Sequence, residues 1–440
     1  MEGWKRVRLS DLVEIKHGFA FKGEYFTDSP TDTVLLTPGN FAIGGGFQWS
    51  KIKYYRDGPV PADYVLQPGD VLVTMTDLSK AVDTLGYSAR VPESRRRLLH
   101  NQRLGKVVLK SCDTSLDFIH WLLRRPDYRN EILASLSGST VKHTSPSKVG
   151  AYEFFLPPPF EQEAIAAILG ALDDKIELNR RMNETLEAMA RTLFKDWFVD
   201  FGPTRAKMAM RGEDPQKENV ARATYLAPDI WSLFPDRLEG GKIPQGWSER
   251  SIYEISDVIY GAPFASALFN TTELGIPLIR IRDLANENPS VWTTEDHPKG
   301  YKVKQGDIVV GMDGEFRAHL WGGAEAWLNQ RVCVFKPKAG YSAAFVRNSI
   351  IGPLAHVEAT EIATTVIHLG KNDIDQFDVV VPATDVVAVY NELAQPLYNR
   401  VVENKVEIDS LAATRDLLLP KLMSGEIRVK DAEALVGEVA

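Results

Sequence analysis

Apolar residues recur at alternating steps of four and three positions in a long stretch that follows Pro157. The stretch begins with Glu161 and Glu163, and carboxylates in a first turn favour the positive end of a helix. Alternating four and three is the spacing of a coiled-coil seam, so the pattern predicts a long helix at 159–200. The seam positions are Leu172, Ile176, Asn179, Asn183, Leu186, Ala190, Leu193 and Trp197.

The same spacing returns 225 positions later and predicts a second long helix at 383–425. Because one such helix would leave its apolar stripe in water, we expect the two to pair, and a twofold axis between equivalent halves would make the pair antiparallel. Asn179 and Asn404 hold the third position of each seam. We expect them to hydrogen-bond across the pair and fix its register, two solvated asparagines being the alternative. The second seam contains Leu397, Val401, Asn404, Ile408, Leu411, Arg415, Leu418 and Leu422.

A mixed domain precedes each helix pattern, and the two domains repeat one another. GFAFKGEYF matches GAPFASALF at a displacement of 243, LQPGDVLVTM matches VKQGDIVVGM at 237, and HNQRLGKVVL matches LNQRVCVFKP at 228. The short β-branched runs VLLTP, DVLVTM, GKVVL and EFFLP predict strands. SDLVEIKHG, its counterpart SIYEISDVIYG and LDFIHWLLRR predict helices.

The predicted fold class is therefore α+β, with two similar mixed domains separated by an antiparallel coiled coil of two long helices in a pseudo-twofold arrangement. Within the connector, 202–223 is charged and predicts an exposed segment, whereas YLAPDIWSLFPDRL predicts a docked one. The predicted segments are domain 1 (1–158), the first helix (159–200), a connector (201–246), domain 2 (247–382), the second helix (383–425) and a tail (426–440).

The two predicted domains differ in net charge, within a chain whose total net charge is −8. Residues 1–158 contain 21 Lys and Arg against 17 Asp and Glu, whereas residues 247–382 contain 12 against 17. The first domain is mildly basic, and the acidic second domain counts against nucleic-acid binding. Two distant cysteines, no long apolar run and no hydrophobic signal core predict a cytoplasmic protein without a membrane partner.

The sequence lacks the motifs of common catalytic and metal sites. It contains no GxxxxGK[ST] phosphate loop, no GxSxG elbow and no HExxH pair. Asp70 and Asp307 each precede a predicted strand, where turn capping is a commoner role than metal binding. We therefore predict no catalytic residue, no metal site and no cofactor in this chain.

Polar and basic residues concentrate instead in the loops between the predicted strands. Arginine can recognise guanine, glutamine can recognise adenine, and lysine can bind phosphate. For any single residue, however, a solvated surface position is the commoner role. The repeated Gln-Arg pairs before matching strands are equally compatible with a shared structural role. The candidate DNA-binding residues are Lys80, Arg95, Arg96, Arg97, Gln102, Arg103, Lys142, His143 and Thr144 in domain 1, and Arg280, Arg282, Arg317, His319, Gln330, Arg331, His368 and Lys371 in domain 2.

Several stretches resemble the DNA-specificity (S) subunits of type I restriction–modification systems, in that family's order and over essentially the whole chain. They are LPPPFEQEAIAAILGALDDKIELNRRMNETL at 156–186, ARTLFKDWFVDFGPTRAK at 190–207, LFPDRLEGGKIPQGW at 233–247, DLLLPKLMSGEIRV at 416–429, and SGSTVKHTSPSKVGAYEFFLPPP at the end of domain 1.

The resemblance implies a non-catalytic subunit with two target-recognition domains, each of which reads one half of a bipartite, asymmetric site in double-stranded DNA. It implies that the helix pair sets the spacer and docks two modification (methyltransferase) subunits, which motor–nuclease subunits join for cleavage. S-adenosylmethionine, ATP and Mg²⁺ are then expected on those partners.

One departure from the family pattern concerns the second helix, and one alternative function stays open. VPATDVVAVYNEL lacks the proline–glutamine opening of the first helix, so the second helix is expected to start later or less sharply. The alternative function is a non-DNA structural adaptor that holds two protein partners at a fixed separation.

Overall fold

The computed structural model describes residues 3–77, 79, 81–136, 142–213, 225–360 and 367–437. The chain forms two compact units: unit 1 comprises Met1–Lys175 and Ser410–Ala440, and unit 2 comprises Ile176–Asp409. The boundary falls inside the two longest helices, so each unit contains part of both. Among the described residues, no helix has the length and apolarity that crossing a membrane requires.

Unit 1 is a mixed domain built on two four-stranded sheets. One is antiparallel in the order β2-β10-β6-β8, and the other has the order β3-β5-β4-β9 with β4 and β9 parallel. Its strands are β1 Lys5–Arg8, β2 Val13–His17, β3 Phe26–Thr27, β4 Thr33–Leu36, β5 Lys53–Tyr55, β6 Val71–Thr74, β7 Thr76–Asp77, β8 Ser88–Arg90, β9 Arg97–His100, β10 Leu104–Leu109, β11 Lys142–His143 and β12 Glu153–Leu156. Its short helices are α1 Leu9–Leu12, α2 Leu116–Leu122, α3 Pro126–Ala134 and α4 Pro146–Gly150, and the long helix α5 Pro159–Phe194 continues into unit 2.

Unit 2 has a four-stranded sheet in the order β16-β24-β21-β22 and a five-stranded sheet in the order β17-β19-β18-β23-β20. Its strands are β13 Leu238–Glu239, β14 Ile243–Pro244, β15 Ser248–Ser251, β16 Ser256–Tyr260, β17 Phe269–Asn270, β18 Ile276–Ile279, β19 Trp292–Thr293, β20 Lys302–Val303, β21 Ile308–Gly311, β22 Ala318–Leu320, β23 Ala326–Leu328, β24 Val332–Pro337 and β25 Asp378–Val381. Its helices are α6 Gly202–Met210, α7 Pro228–Leu233, α8 Ala343–Thr360 and α9 Lys371–Ile374; α10 Thr384–Ser424 continues into unit 1, which also contains α11 Val429–Gly437.

The two units share one strand topology, which confirms the duplication. The antiparallel sheet β2-β10-β6-β8 matches β16-β24-β21-β22, and the parallel pair β4 and β9 matches β18 and β23. The central strands VLVT and IVVG are buried at every position, as expected for continuous apolar runs covered on both faces. The predicted α+β class, the two similar mixed domains and the two long helices are therefore confirmed.

Within each unit the long helices pair antiparallel. In unit 2, Asn179 contacts Glu407, and the hydroxyl of Tyr390 donates to the carbonyl oxygen of Ala190 at 3.2 Å. Residues further along α5 therefore contact residues nearer the start of α10, as in an antiparallel pair. The same order holds in unit 1, where Asp173 on α5 pairs with Arg415 on α10, and Glu161 at the start of α5 pairs with Arg428 just beyond α10.

The seam asparagines donate across the helix pair, but not to each other. Asn179 Nδ2 donates to Glu407 Oε2 and Asn404 Nδ2 donates to Asn183 Oδ1, both at 2.8 Å. The buried Oδ1 atoms of Asn179 and Asn404 have no hydrogen-bond partner among the described residues. Each asparagine therefore makes one directional contact between the helices, and its role in register stays a prediction.

Replacing Asn183 and Asn404 together with leucine is expected to raise the free energy of unfolding by about 1–2 kcal/mol, because a buried amide pair gives way to apolar contact. Urea unfolding would measure the change. Asn404→Leu alone is the control: it leaves the Asn183 amide without its partner and should be less stable than the double variant. A double variant less stable than either single variant would contradict the prediction.

Three local predictions are wrong. SDLVEIKHG is mostly strand: α1 covers only Leu9–Leu12, and β2 follows because Val13 and Ile15 alternate with polar residues. Its counterpart likewise forms one 3₁₀ turn before β16. The first part of the connector is helical, because α6 buries its opening residues Gly202, Pro203 and Thr204.

The second long helix does not start late, because α10 begins at Thr384, which is 225 positions after the start of α5 at Pro159. In α5, Gln162 anchors the first turn by donating to Pro157 O and Asp113 O, each at 2.8 Å. Its counterpart Val387 is buried instead. The second helix thus begins at the equivalent position, with a buried valine in place of the hydrogen-bonded glutamine.

The docked part of the connector is confirmed. Phe234 is buried and packs against Trp197, with ring centroids 4.9 Å apart, and against Trp247 at 6.3 Å. Lys207 Nζ donates to Phe234 O at 2.5 Å, so α6 is tied to the same segment.

Candidate nucleic-acid interface

In unit 1 the chain after β6 lies between two segments that carry predicted DNA-binding residues. The Met75 amide donates to Arg103 O, and the Thr144 amide donates to Met75 O, both at 3.0 Å. Thr76 then pairs with His143 where β7 meets β11. Backbone hydrogen bonds therefore bring the Gln102-Arg103 turn and the 142–144 segment together beside the end of β6.

A glycine permits this arrangement. A Cβ atom on Gly18, just after β2, would lie 2.2 Å from the carbonyl oxygen of Asn101, the residue before the Gln102-Arg103 turn. Gly261 is in the same position in unit 2, where a Cβ atom would lie 1.9 Å from Asn329 O. Both distances are far below van der Waals contact, so only glycine lets the chain pass directly against each turn.

These segments surround a cavity of about 500 Å³, and we call its lining cluster 1. His143 Nδ1 lies 3.1 Å from Thr76 Oγ1, while the buried Thr144 hydroxyl has no hydrogen-bond partner among the described residues. Gln102 and Arg103 are exposed at the rim. Cluster 1 consists of His17, Gly18, Met75, Thr76, Gln102, Arg103, His143 and Thr144.

A second cavity of about 450 Å³ shares Arg103 with cluster 1. Its lining includes two lysines, two aspartates and two amides together with apolar side chains: Lys51, Lys53, Asp77, Asp83, Gln48 and Asn101. Arg103 therefore lines both of these concave surfaces of unit 1.

Unit 2 repeats the backbone of cluster 1. The Met312 amide donates to Arg331 O at 3.0 Å, and the Leu369 amide donates to Met312 O at 2.8 Å. Asp313 forms an antiparallel bridge with His368, as Thr76 pairs with His143. Met312, Asp313, Gln330, Arg331 and His368 form what we call cluster 2.

The side chains of cluster 2 form a charged network. His368 Nδ1 lies 2.8 Å from Asp313 Oδ1 and 3.0 Å from Met312 O, so two acceptors place a hydrogen on Nδ1. Arg331 Nε lies 3.3 Å from Asp313 Oδ2. The Arg331 side chain is 55% exposed and that of Asp313 is 25% exposed, so the carboxylate lies beneath the guanidinium.

The remaining candidates of the first domain are not part of cluster 1, although Lys142 on β11 is the neighbour of His143 in the chain. Arg96 lies over the ring of Tyr54 at 5.6 Å, and Arg97 Nη2 donates to Thr33 Oγ1 at 3.1 Å. Arg95 is exposed beside them. Lys80 lies outside the described residues.

Most other candidates of the second domain are held by nearby acidic side chains. Arg280 is bound by Asp283, with Nε and Oδ2 3.0 Å apart. Lys371 pairs with Asp375 at 2.7 Å, and Arg317 pairs with Glu315 at 3.5 Å. Arg282 is exposed, on the same 3₁₀ turn as Asp283.

His319 is separate from these residues, on β22. Its pKa is lowered to about 4, mainly by burial and in addition by the charges of Lys405 and Arg347. A neutral, half-buried imidazole is a poor phosphate ligand, so His319 is the weakest candidate of the second domain.

Asp70 and Asp307 cap turns, as predicted. Asp70 Oδ2 accepts from the Gln67 amide and Asp307 Oδ2 accepts from the Lys304 amide, both at 2.9 Å. Lys106 Nζ also pairs with Asp70 at 2.6 Å. Within the described ranges, no group of three His, Cys, Asp or Glu side chains is arranged to hold a metal ion.

Sequence reasoning missed His17, Thr76 and Asp313. The displacement of 237 that aligns LQPGDVLVTM with VKQGDIVVGM also aligns Thr76 with Asp313. Extending that alignment by one residue would have shown only that these two positions correspond.

The comparisons agree with this duplicated architecture. The family model described as "Type I restriction modification DNA specificity domain" matches residues 1–188. Over 97% of its length the chain is 24% identical to the whole of the Type I restriction enzyme HindI specificity subunit of Haemophilus influenzae. The chain resembles the type I DNA-specificity subunits.

Two further comparisons extend the resemblance. The Type I restriction enzyme MjaIX specificity subunit of Methanocaldococcus jannaschii is 26% identical over 88% of this chain and 91% of its own. The crystal structure of the S subunit from the type I restriction–modification system of M. genitalium covers 96% of both chains, with a TM-score of 0.53 and 14% identity. At that identity it supports the fold alone.

Proposed function

We propose that this chain is the sequence-specific DNA-recognition and scaffold subunit of a type I restriction–modification complex. Cluster 1 and cluster 2 each contribute to one half of a bipartite, asymmetric site in double-stranded DNA. The chain is non-catalytic: methyltransferase subunits bring S-adenosylmethionine, and motor–nuclease subunits bring ATP and Mg²⁺. The complex works in the cytoplasm.

This proposal rests on one observation: a similar polar cluster occurs in both units, directly after the equivalent strands β6 and β21. Each cluster presents a Gln-Arg turn beside a histidine on a short bridging segment. Arginine and glutamine are the side chains that read guanine and adenine bidentately in the major groove. Two copies in one chain match a split site with two different halves.

The long helices provide the surface for the modification subunits. In unit 2, α5 exposes Leu178 and Met189 and α10 exposes Leu393 and Val406, which are 40–55% exposed. Apolar side chains that face solvent on a helix pair suit a partner protein. We therefore assign the helices to scaffolding and to the spacer between the half-sites.

Arg103→Ala is expected to relax recognition of one half-site, and Arg331→Ala that of the other, because each cluster belongs to a different unit. Methylome mapping of cells that carry the wild-type gene, each variant or no gene would show this. Arg250→Ala is the matched control, since Arg250 is an exposed arginine on β15 that contacts Ser248. Each base contact is worth roughly a five- to 150-fold preference.

The structural adaptor makes the opposite predictions. A DNA reader loses affinity log-linearly as salt rises, whereas an adaptor retains no duplex at all. Methylomes that do not depend on this gene, together with a purified complex that fails to retain duplex at low salt, would reject DNA recognition.

A further inference from the structure

Clusters 1 and 2 share a backbone but differ in charge at one equivalent position. Thr76 follows the central strand in unit 1, and Asp313 holds the matching place in unit 2. The described residues that line the cavity of cluster 1 include no carboxylate. Cluster 2 therefore places a negative charge directly beside its exposed arginine.

The Asp313 carboxylate is held from two sides. Its Oδ1 atom accepts from His368 Nδ1 at 2.8 Å, and its Oδ2 atom lies 3.3 Å from Arg331 Nε. Arg331 Nη1 also lies 3.4 Å from His368 Nδ1, so the guanidinium and the imidazole are neighbours above one anion. Because the imidazole holds one oxygen of the carboxylate, Arg331 lies against an anion in a fixed position, which limits the orientations that its side chain adopts.

The contact uses only part of the donor capacity of Arg331. A guanidinium has five N–H groups, and the contacts at Nε with Asp313 and at Nη1 with His368 leave the Nη2 hydrogens and one hydrogen of Nη1 available to a ligand. These are the hydrogens that pair bidentately with O6 and N7 of guanine. The more exposed arginine lies on the outside of the less exposed aspartate, as such a contact requires.

We propose that Asp313 is a positioning residue that orients Arg331 toward a guanine in the half-site read by unit 2. The proposal rests on the proposed function and adds to it the identity of one base pair, a G·C pair. Arg103, with Thr76 rather than a carboxylate in the equivalent place, lacks this support and discriminates less sharply between bases. The two units thus read DNA with different stringency at equivalent positions.

Charge gives this proposal a distinctive consequence. A carboxylate beside DNA repels the phosphates, so removing its charge should strengthen binding to any duplex. The same change frees Arg331 and should weaken discrimination at one base pair. A purely structural role for Asp313 would lower both quantities together.

The test uses the full chain assembled with its modification subunits. Methylome mapping first gives the site, and a set of duplexes then replaces each of its base pairs in turn. For Asp313→Asn we expect discrimination at one G·C pair of one half-site to fall about tenfold, and affinity for an unrelated duplex to hold or rise. Asp257→Asn is the matched control, since this exposed carboxylate pairs with Lys338 at 3.6 Å on the opposite end of β16.

A second variant keeps the test decisive if Asp313→Asn proves unstable. Arg331→Lys retains the charge but loses the bidentate fork, and it should reduce discrimination at the same base pair. Combining Asp313→Asn with Arg331→Lys should add little, because both act through one contact.

Three results would overturn the inference. They are unchanged discrimination in Asp313→Asn, an equal loss at every position, and additive effects in the double variant. A wild-type complex with no preference for the mapped site would instead overturn the proposed function itself.

Discussion

Replacing Asp173 with alanine is expected to lower the free energy of unfolding of unit 1 by about 3–5 kcal/mol, because it leaves two largely buried arginines without their shared anion. Asp173 on α5 pairs with Arg124 from the end of α2 and with Arg415 from α10. The Arg124 side chain is only 2% exposed, and that of Arg415 is 15% exposed. Urea unfolding would measure the loss.

The pH dependence of this contribution provides an independent check. Burial raises the pKa of Asp173, but Arg124 and Arg415 lower it by more, so the pKa falls below its ordinary value of 3.8. A lowered native pKa stabilises the fold above that ordinary value, and the contribution disappears as pH falls through the native pKa. The difference between wild type and Asp173→Ala should therefore be full at pH 7 and should narrow below about pH 4.

Asp174→Ala is the matched control, because this neighbouring aspartate is exposed on the same turn of α5. It should change the free energy of unfolding by less than about 0.5 kcal/mol. Equal effects at the two positions, or a difference that persists unchanged at low pH, would contradict the role given to the buried ion pairs.

The duplication and the seam could be predicted from the sequence because both are periodic. A constant displacement of 225 residues locates the start of α10 from that of α5 even though the opening residues differ. The strand runs VLVT and IVVG are short, apolar at three or more successive positions and rich in β-branched residues, which favours buried strands. Repeated patterns of this kind survive the divergence of individual residues.

The buried ion pairs could not be predicted, because they do not follow the repeat. The position equivalent to Asp173 in the second copy is Tyr398, whose hydroxyl accepts from Arg347 Nη1 at 3.1 Å. Arg347 also pairs with Glu187 on α5 at 2.9 Å. Each unit thus joins its own domain to the helix pair through a buried arginine, but the equivalent helix position holds an aspartate in unit 1 and a tyrosine in unit 2.

The candidate site was only partly predictable, for a related reason. The recurrence of Gln102-Arg103 and Gln330-Arg331 identified two turns that the structure places in clusters 1 and 2. By contrast, basic residues such as Arg280 and Lys371 have nearby acidic partners that a linear count of charges does not separate from solvated ones. Thr76 and Asp313 could not be recognised as site residues from the sequence, because strand pairing with His143 and His368 is what places them in the clusters.

Several aromatic residues pack together where α5 ends in unit 2. The helix closes in a π-helical turn, Lys195–Val199, which buries the successive residues Trp197 and Phe198. Trp197 is fully buried against Phe234 and Tyr390, with ring centroids 4.9 and 6.2 Å apart, and its Nε1 donates to Tyr225 OH at 2.9 Å. One side chain thus joins α5, α10 and the connector of unit 2.

Trp197→Ala is expected to lower the free energy of unfolding of unit 2 by about 3–5 kcal/mol, because the surrounding rings cannot close over the space of an indole. Trp197→Phe should cost less, since it keeps most of the apolar contact and loses mainly the Nε1 hydrogen bond, worth about 1–2 kcal/mol. Val199→Ala serves as the control: it changes the same π-helical turn at a side chain that is 56% exposed and should be nearly neutral. Thermal and urea unfolding would rank the three variants, and a Trp197→Ala protein as stable as Val199→Ala would show that the aromatic contacts do not hold the connector to the helix pair.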